Sequence, residues 1–479
     1  MMSPSPFTFG VELEGAFFYG LRSIDITSID DGLPLPVDMT METVYVRNPE
    51  FPRNKWMKAE AMRAEMARIV KQSIHDFVVA LPLTSRGKAA TGTTLDIFQD
   101  WVVDFDDSIK LDEMLFQEYD QLWWSGLELQ SPAFEATEGA FNEVQAVIDF
   151  VRKTFRVAVP PSTGFHVHIG KGPEFYSVHA LKRMAAVCWA GDLLFQTMHP
   201  INRRFNGYCM GPRSRSQVGR GVKAIEVNPV SDTCDTCDPE KDFPIQGYLN
   251  LGRSRRLVEM WKFQRTFPRN SAEIYNVPSE EEKDVCWNFV IGGGFPDGPQ
   301  EILAGADILQ GAKEIMKCRT HDAVSTIMGA ESRCAYNFDN YYDVKRRDDK
   351  TPKRTVEFRQ AAGTMDGHWV TTYAKICLGI AKFAETATDA SLWTLIWECH
   401  RADKNKIWYD VFDLLLDLGL PEEARVVQNR LETGGHVAEQ LRPFSTATLP
   451  SRPTLWQATS SASETSSDIS DTDKFWLSN

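Results

Sequence analysis

The segment Gly164-Phe165-His166-Val167-His168-Ile169-Gly170 constrains the fold of this chain more than any other stretch. Its polar and apolar residues alternate, and in a β-strand residues two apart face the same side. Phe165, Val167 and Ile169 therefore form one apolar face, and the two imidazoles share the other. The same period recurs. Phe9 to Gly15 puts Glu12 and Glu14 on one face, Gly126 to Pro132 pairs Glu128 with Gln130, and Thr355 to Gln360 pairs Glu357 with Arg359. Ser332 to Phe338 carries Arg333 and Asn337. If these strands share a sheet, their polar faces line one concave site rich in Glu, His and Arg.

Helical spacing predicts a helix over 54–80, with Met57, Ala61, Met62, Met66, Val70, Ile74 and Phe77 at the apolar positions. Further helices are expected over 134–155, 178–198, 369–385 and onward to about residue 435. Strands are expected over 7–17, 101–105, 126–130, 164–169, 334–338 and 354–360. Residues 21–53 and 228–300 read as irregular, being rich in turn-forming residues. Strands and helices mix without a regular βαβ rhythm, so the expected class is α+β with an antiparallel sheet. No GxGxxG follows a strand and no GxxxxGK[ST] occurs, which removes the main support for Rossmann and P-loop folds. The last 39 residues, 441–479, hold 15 Ser or Thr and no repeating apolar face, so they read as a disordered tail. Residues 1–440 are expected to form one large unit, with a helical C-terminal part over 386–440.

Composition excludes several partners. The chain of 479 residues has 52 Lys+Arg against 66 Asp+Glu, and its formal charge of −14 repels phosphate backbones and argues against nucleic acid. No apolar run reaches membrane-spanning length. The first nine residues carry no basic residue and no apolar stretch of the kind a secretory signal needs. Most of the 9 cysteines sit beside aliphatic or aromatic residues, as in Val187-Cys188-Trp189, and read as reduced, buried thiols of a cytoplasmic protein. Cys234 and Cys237 form a CxxC with no second pair, so a structural zinc is not expected there.

Each same-face pair has a plain reading as well as a chemical one. Two adjacent carboxylates are costly unless a cation or Arg lies between them, so Glu12 with Glu14 suits a hard metal ion, or else a solvated strand face. His166 with His168 suits a metal, or else a polar sheet face. Glu357 with Arg359 suits a ligand beside a phosphate-binding fork, or else a simple ion pair. Arg203, Arg204, Arg213, Arg215, Arg220 and Lys223 form either a loop that meets an acidic ligand or a solvated basic loop.

Taken in order, FGVELE, WVVDFDDS, GLELQSP, TGFHVHIG, HPINRRFNGYC, SRCAYNF and VEFRQAAGTMD resemble the amidoligase family, in particular members of fungal type, over about residues 7–385. That family is related to glutamine synthetase and glutamate–cysteine ligase. The resemblance implies a glutamine-synthetase-like domain with a curved, mainly antiparallel sheet flanked by helices. It implies ATP-dependent amide formation in which a carboxylate is phosphorylated and an amine attacks the acyl phosphate. On the matching motifs, Glu12, Glu14, Glu128 and Glu357 resemble the metal-binding glutamates. His166 or His168 resembles the histidine of the metal and nucleotide site, and Arg359 the arginine near the transferred phosphoryl group. Arg333 and Asn337 resemble a strand that contacts substrate or phosphate. The implied cofactors are ATP and two or more Mg²⁺, with Mn²⁺ as a substitute. The implied partners are a small-molecule or peptide carboxylate and an amine. Asp106 or Asp107 is a candidate base for the amine. Two other functions stay open on sequence alone: a zinc hydrolase built on the HxH pair, and a non-catalytic nucleotide-binding descendant. No interface that would set an oligomeric state is legible.

Overall fold

A computed structural model of the chain describes residues 7–21, 34–39, 55–82, 86–88, 99–111, 122–200, 203, 208–228, 265, 306–329, 334–342, 353–405 and 409–434. Nine strands occur among them: β1 (Thr8–Leu21), β2 (Val37–Met39), β3 (Val102–Phe105), β4 (Trp123–Gln130), β5 (Phe134–Glu135), β6 (Val157–Ala158), β7 (Gly164–Gly170), β8 (Tyr336–Asn337) and β9 (Thr355–Ala362). The helices include α1 (Lys55–Ala80), α2 (Glu138–Thr154), α3 (Val178–Gln196), α4 (Pro212–Arg215), α5 (Ala224–Val227), α6 (Ile308–Met316), α7 (His321–Met328), α8 (Gly367–Thr386), α9 (Asp389–Lys404), α10 (Val411–Asp417) and α11 (Pro421–Glu432). All strands belong to one sheet, with the main order β3-β4-β1-β7-β9-β8 and antiparallel pairing along that path. Strand β2 runs parallel to β1, while β5 and β6 pair with it antiparallel. The class is α+β with a mainly antiparallel sheet.

One sheet face packs on helices. Phe9, Val11 and Leu13 of β1 and Phe165, Val167 and Ile169 of β7 are buried in the main core. Phe9 stacks on Phe141 of α2 with ring centroids 4.4 Å apart, and Phe165 meets Tyr373 of α8 edge-on at 5.6 Å. Each such side chain contributes about 1.5–3 kcal/mol by leaving water. Helix α3 is buried around most of its circumference because α6, α8 and α9 pack against it. The helix starts carry polar caps: Ser177, Thr137 and Asp366 accept hydrogen bonds from the backbone N–H groups of Ala180, Ala140 and Trp369. On the opposite sheet face, beyond Glu12 and Glu14, Ala16 and Phe18 join Ile109 and Ala158 in a small apolar cluster that closes one end of the polar surface.

Several boundaries differ from the expectations. Strand β1 extends past Phe17 to Leu21 because its last third pairs with β4 and with β2. Strand β2 lies in a stretch expected to be irregular, since its three residues are extended only through pairing with β1. The helix expected from residue 134 starts at Glu138. Phe134 and Glu135 instead pair with Phe9 and Thr8, and Thr137 caps the helix. The six described cysteines, Cys188, Cys209, Cys318, Cys334, Cys377 and Cys399, are free and buried. No helix among the described residues is long and apolar enough to cross a membrane. Cys234, Cys237, most of 228–300 and residues 441–479 lie outside the described residues.

The contact of α6 with α3 gives a stability test. A Cβ on Gly311 would lie 2.1 Å from Trp189 Cζ2, and the Trp189 indole donates to Ile308 O at 2.9 Å, which holds the ring in place. Gly311→Ala is expected to destabilise the protein by about 1–3 kcal/mol through overpacking. A lower midpoint of urea or thermal unfolding checks this, and an unchanged midpoint contradicts it.

Candidate active site

The polar face of the sheet is assembled by register. In the β1–β4 pair Glu12 lies opposite Gln130 and Glu14 opposite Glu128. In the β1–β7 pair Glu12 lies opposite His166, and in the β7–β9 pair His168 lies opposite Glu357. Asn337 of β8 lies opposite Glu357. Directly opposed residues share a face, so four adjacent strands and β8 bring their polar positions together. These side chains line a polar cavity of about 490 Å³. That volume falls within the range of small-molecule sites.

A β-bulge on β9 sets the position of Arg359. Phe165 faces Ala361 and Val167 faces Phe358, so β9 carries one residue more than β7 over this interval. Phe358 and Ala361 keep the helix-packed face of their β7 partners. Gln360 Nε2 also donates into the core, to Asp192 Oδ1 of α3 at 3.0 Å. Arg359 remains on the cavity side beside Glu357 and lies 3.4 Å from His166 Nδ1. Arg203 braces the bulge. Its guanidinium is buried and donates to the carbonyls of Thr163, Arg359 and Gln360 at 3.2, 3.0 and 3.3 Å.

The carboxylates and imidazoles form a continuous cluster. Glu12 Oε1 lies 3.0 Å from His168 Nε2 and Glu12 Oε2 lies 3.4 Å from His166 Nδ1. His166 Nε2 is 3.6 Å from Glu14 Oε1, and His166 Nδ1 is 3.7 Å from Glu357 Oε1. Glu14 Oε2 accepts from the Gly164 N–H at 2.6 Å, and Asn337 Nδ2 donates to Glu357 Oε2 at 2.9 Å. Burial pushes the Glu12 carboxyl up, but the charge on His168, the close approach of both imidazoles and the nearby Lys353 outweigh it and hold it well below the usual carboxylate range. Burial likewise opposes ionisation of Glu357, yet the charges of His168, Arg359 and His166 bring it down to about 2. Glu128 goes the other way. Burial and then the negative charge of Glu12, with Glu14 adding to it, push it up to about 8.

This donor set fits cations. Two groups of ligand atoms, Glu12/His166/Glu357 and Glu14/Glu128/His166, each lie within 4.8 Å of one another. His168 Nε2 is buried and lacks an aligned hydrogen-bond partner despite its closeness to Glu12. Glu128, repelled by two other carboxylates, would regain its charge beside a cation. Oxygen donors with one imidazole suit Mg²⁺ or Mn²⁺.

The remaining expectations divide. Arg333 and Arg204 lie outside the described residues. Asp106 lines the cavity, whereas Asp107 is exposed and pairs with Arg63 at 3.0 Å. The described part of the basic stretch divides. Arg203 and Arg213 are buried, the latter donating to Asp403 at 2.9 and 3.1 Å, Arg220 and Lys223 are exposed, and short helices α4 and α5 occupy part of the segment. Lys353, Thr355, Ser108, Ser162, Tyr208, Asp339 and Asn340 were not singled out in sequence. All but Thr355 line the cavity, and Thr355 Oγ1 lies 3.1 Å from His168 Nδ1. Lys353 and Thr355 had a usable signal, since they continue the odd-numbered face of Glu357 and Arg359. Ser108, Ser162 and Tyr208 come from connecting segments and had none.

Fold and site together define an α+β protein with a Glu- and His-lined cavity suited to divalent ions. Residues 5–235, just under half of the chain, match the family described as "Putative amidoligase enzyme". A ligase-type function is what that match supports. No curated protein and no solved structure gives a significant match. The matched stretch ends before β8 and β9, so Asn337, Glu357 and Arg359 join the family motifs through strand pairing alone.

Direct cation binding tests the cluster. Mn²⁺ or Mg²⁺ is expected to raise the unfolding temperature, and a chelator to reverse the rise. In Glu14→Gln and Glu128→Gln the cation affinity should fall by about ten-fold or more, since each loses a hard oxygen donor. Wild-type shifts in either variant would contradict the assignment.

Proposed function

We propose that this protein is an ATP- and Mg²⁺-dependent carboxylate–amine ligase. The observation that carries the reading is the pair of ligand groups sharing His166, with Arg359 against Glu357 at their edge. Glu12, Glu14, Glu128 and Glu357, with His166 and His168, would hold two Mg²⁺. Bound there, Mg²⁺ supplies charge neutralisation on the phosphate chain. A substrate carboxylate oxygen attacks the γ-phosphorus of ATP, and ADP leaves. The amine nitrogen then attacks the acyl carbon, phosphate leaves, and the amide forms after loss of the amine proton.

The protein contributes position and charge more than covalent chemistry. Arg359, on the cavity side of the bulge, would stabilise negative charge developing on the transferred phosphoryl group. Asn337 keeps Glu357 oriented. Asp106 lines the cavity and accepts the Ser108 N–H at 2.7 Å, and we assign it as the acceptor of the amine proton. The carboxylate and amine are small molecules or peptide groups, and nucleic acid is not a partner. In this reading the sheet is the glutamine-synthetase-like platform that the sequence resemblance implies, and residues 1–440 act as one catalytic unit. The zinc hydrolase reading needs His166 and His168 on one ion. Each ligand group among the described residues contains His166 without His168, which weighs against it.

A screen for ADP and phosphate release over carboxylate and amine pairs, with Mg²⁺ present, tests the proposal. Release should require both substrates. Glu357→Gln and Arg359→Lys should each lower kcat by about 10²–10³, the cost typical of losing an electrostatic contact to the transition state. Full turnover in both variants would refute the site. Stoichiometric zinc without ATP binding would favour the hydrolase.

A further inference from the structure

Three Lys or Arg side chains line the cavity among the described residues: Arg203, Arg359 and Lys353. The first two are engaged. Arg203 is buried and spends its guanidinium on three backbone carbonyls, and Arg359 is buried against Glu357. Lys353 differs. Its side chain is 40% exposed, and its ammonium lies 3.1 Å from Glu12 Oε1. That same oxygen lies 3.0 Å from His168 Nε2, the buried nitrogen without an aligned partner. The next residue is anchored away from the cavity. Arg354 O accepts from Tyr341 Oη at 3.3 Å, and the Arg354 guanidinium sits 4.9 Å from the centroid of the Phe175 ring. The base of Lys353 is thereby held while its flexible four-carbon stem stays free to reorient.

Glu12 is a member of one of the two candidate cation-holding groups. A divalent ion at Glu12 would face an ammonium on the same carboxylate, and the two positive charges repel strongly at such separations in a partly buried site. Arrival of the ion therefore disfavours the ammonium at its place on Glu12. The cavity also has to accept a polyanion if it takes ATP, and Lys353 is the lining cation with conformational freedom to meet it.

Resting on the proposed function, we infer that Lys353 is a two-position cation. It neutralises Glu12 while the site lacks a divalent ion. Once the ion is bound, it moves off Glu12 and pairs with the phosphate chain of the nucleotide. Lys353 thus couples the order of loading, ion first and nucleotide second, and offsets part of the charge of the acidic cluster between turnovers.

The test measures binding, not turnover, by calorimetry with Mn²⁺ alone and then with the β,γ-imido analogue of ATP at saturating Mn²⁺. Lys353→Met removes the competing charge, so Mn²⁺ should bind about ten-fold tighter, while the analogue should bind about ten-fold weaker. Lys353→Arg keeps the charge and should stay close to wild type in both titrations. The opposite signs of the two shifts separate this role from simple loss of structure, which would weaken both. The inference requires both shifts, and the absence of either one overturns it. If the wild type binds neither probe, the proposed function itself fails. If the wild type binds both and Lys353→Met is unchanged, only the Lys353 assignment fails.

Discussion

The β1–β7 register is the constraint on which the rest of the structure depends. It sets Glu12 opposite His166 and, by the same alternation, sends Val11, Leu13, Phe165 and Val167 into the helix-packed core. A slip of one residue would exchange the two faces and bury the carboxylates among the aromatic rings of α2 and α8. Burial of the apolar face therefore holds the polar face in place. The hydrophobic effect supplies the energy, and the charged cluster is carried on its other side.

That cluster is electrostatically unbalanced. Glu12, Glu14, Glu128 and Glu357 crowd together, and the histidines with Arg359 and Lys353 compensate only part of their charge. The imbalance appears in the opposite directions taken by Glu12 and Glu128, one held ionised and the other pushed towards its neutral form. A site with this property suits cations. Under the proposed function the net charge of −14 is no obstacle to phosphate, because Arg359 and bound cations would set the sign of the potential inside the cleft.

Support behind the site is as specific as the site itself. The bulge at Gln360 lets Arg359 stay on the cavity side while Gln360 reaches Asp192 in α3. Arg203 fastens both strands through their carbonyls, an arrangement that costs a buried charge but satisfies three acceptors at once. An arginine-rich stretch in an acidic chain invites a ligand-binding reading. Two of its members, Arg203 and Arg213, instead act as internal fasteners.

Local alternation was enough to determine, from sequence, that Glu12 and Glu14, His166 and His168, and Glu357 and Arg359 would each share a strand face, because period two is a property of the extended backbone itself. The α+β class followed from the mixture of strand and helix patterns, and the mainly antiparallel pairing agrees with it. Thr355 and Lys353 lay on the same parity as Glu357, within reach of the same reasoning extended by two steps. The strand order, the bulge on β9, the buried fastening by Arg203 and the arrival of Asp106, Ser108 and Ser162 at the cavity were decided only by the tertiary structure. Those depend on hydrogen bonds and packing between segments as far apart as Glu12 and Lys353, and no local period carries information about which distant strand will be a neighbour.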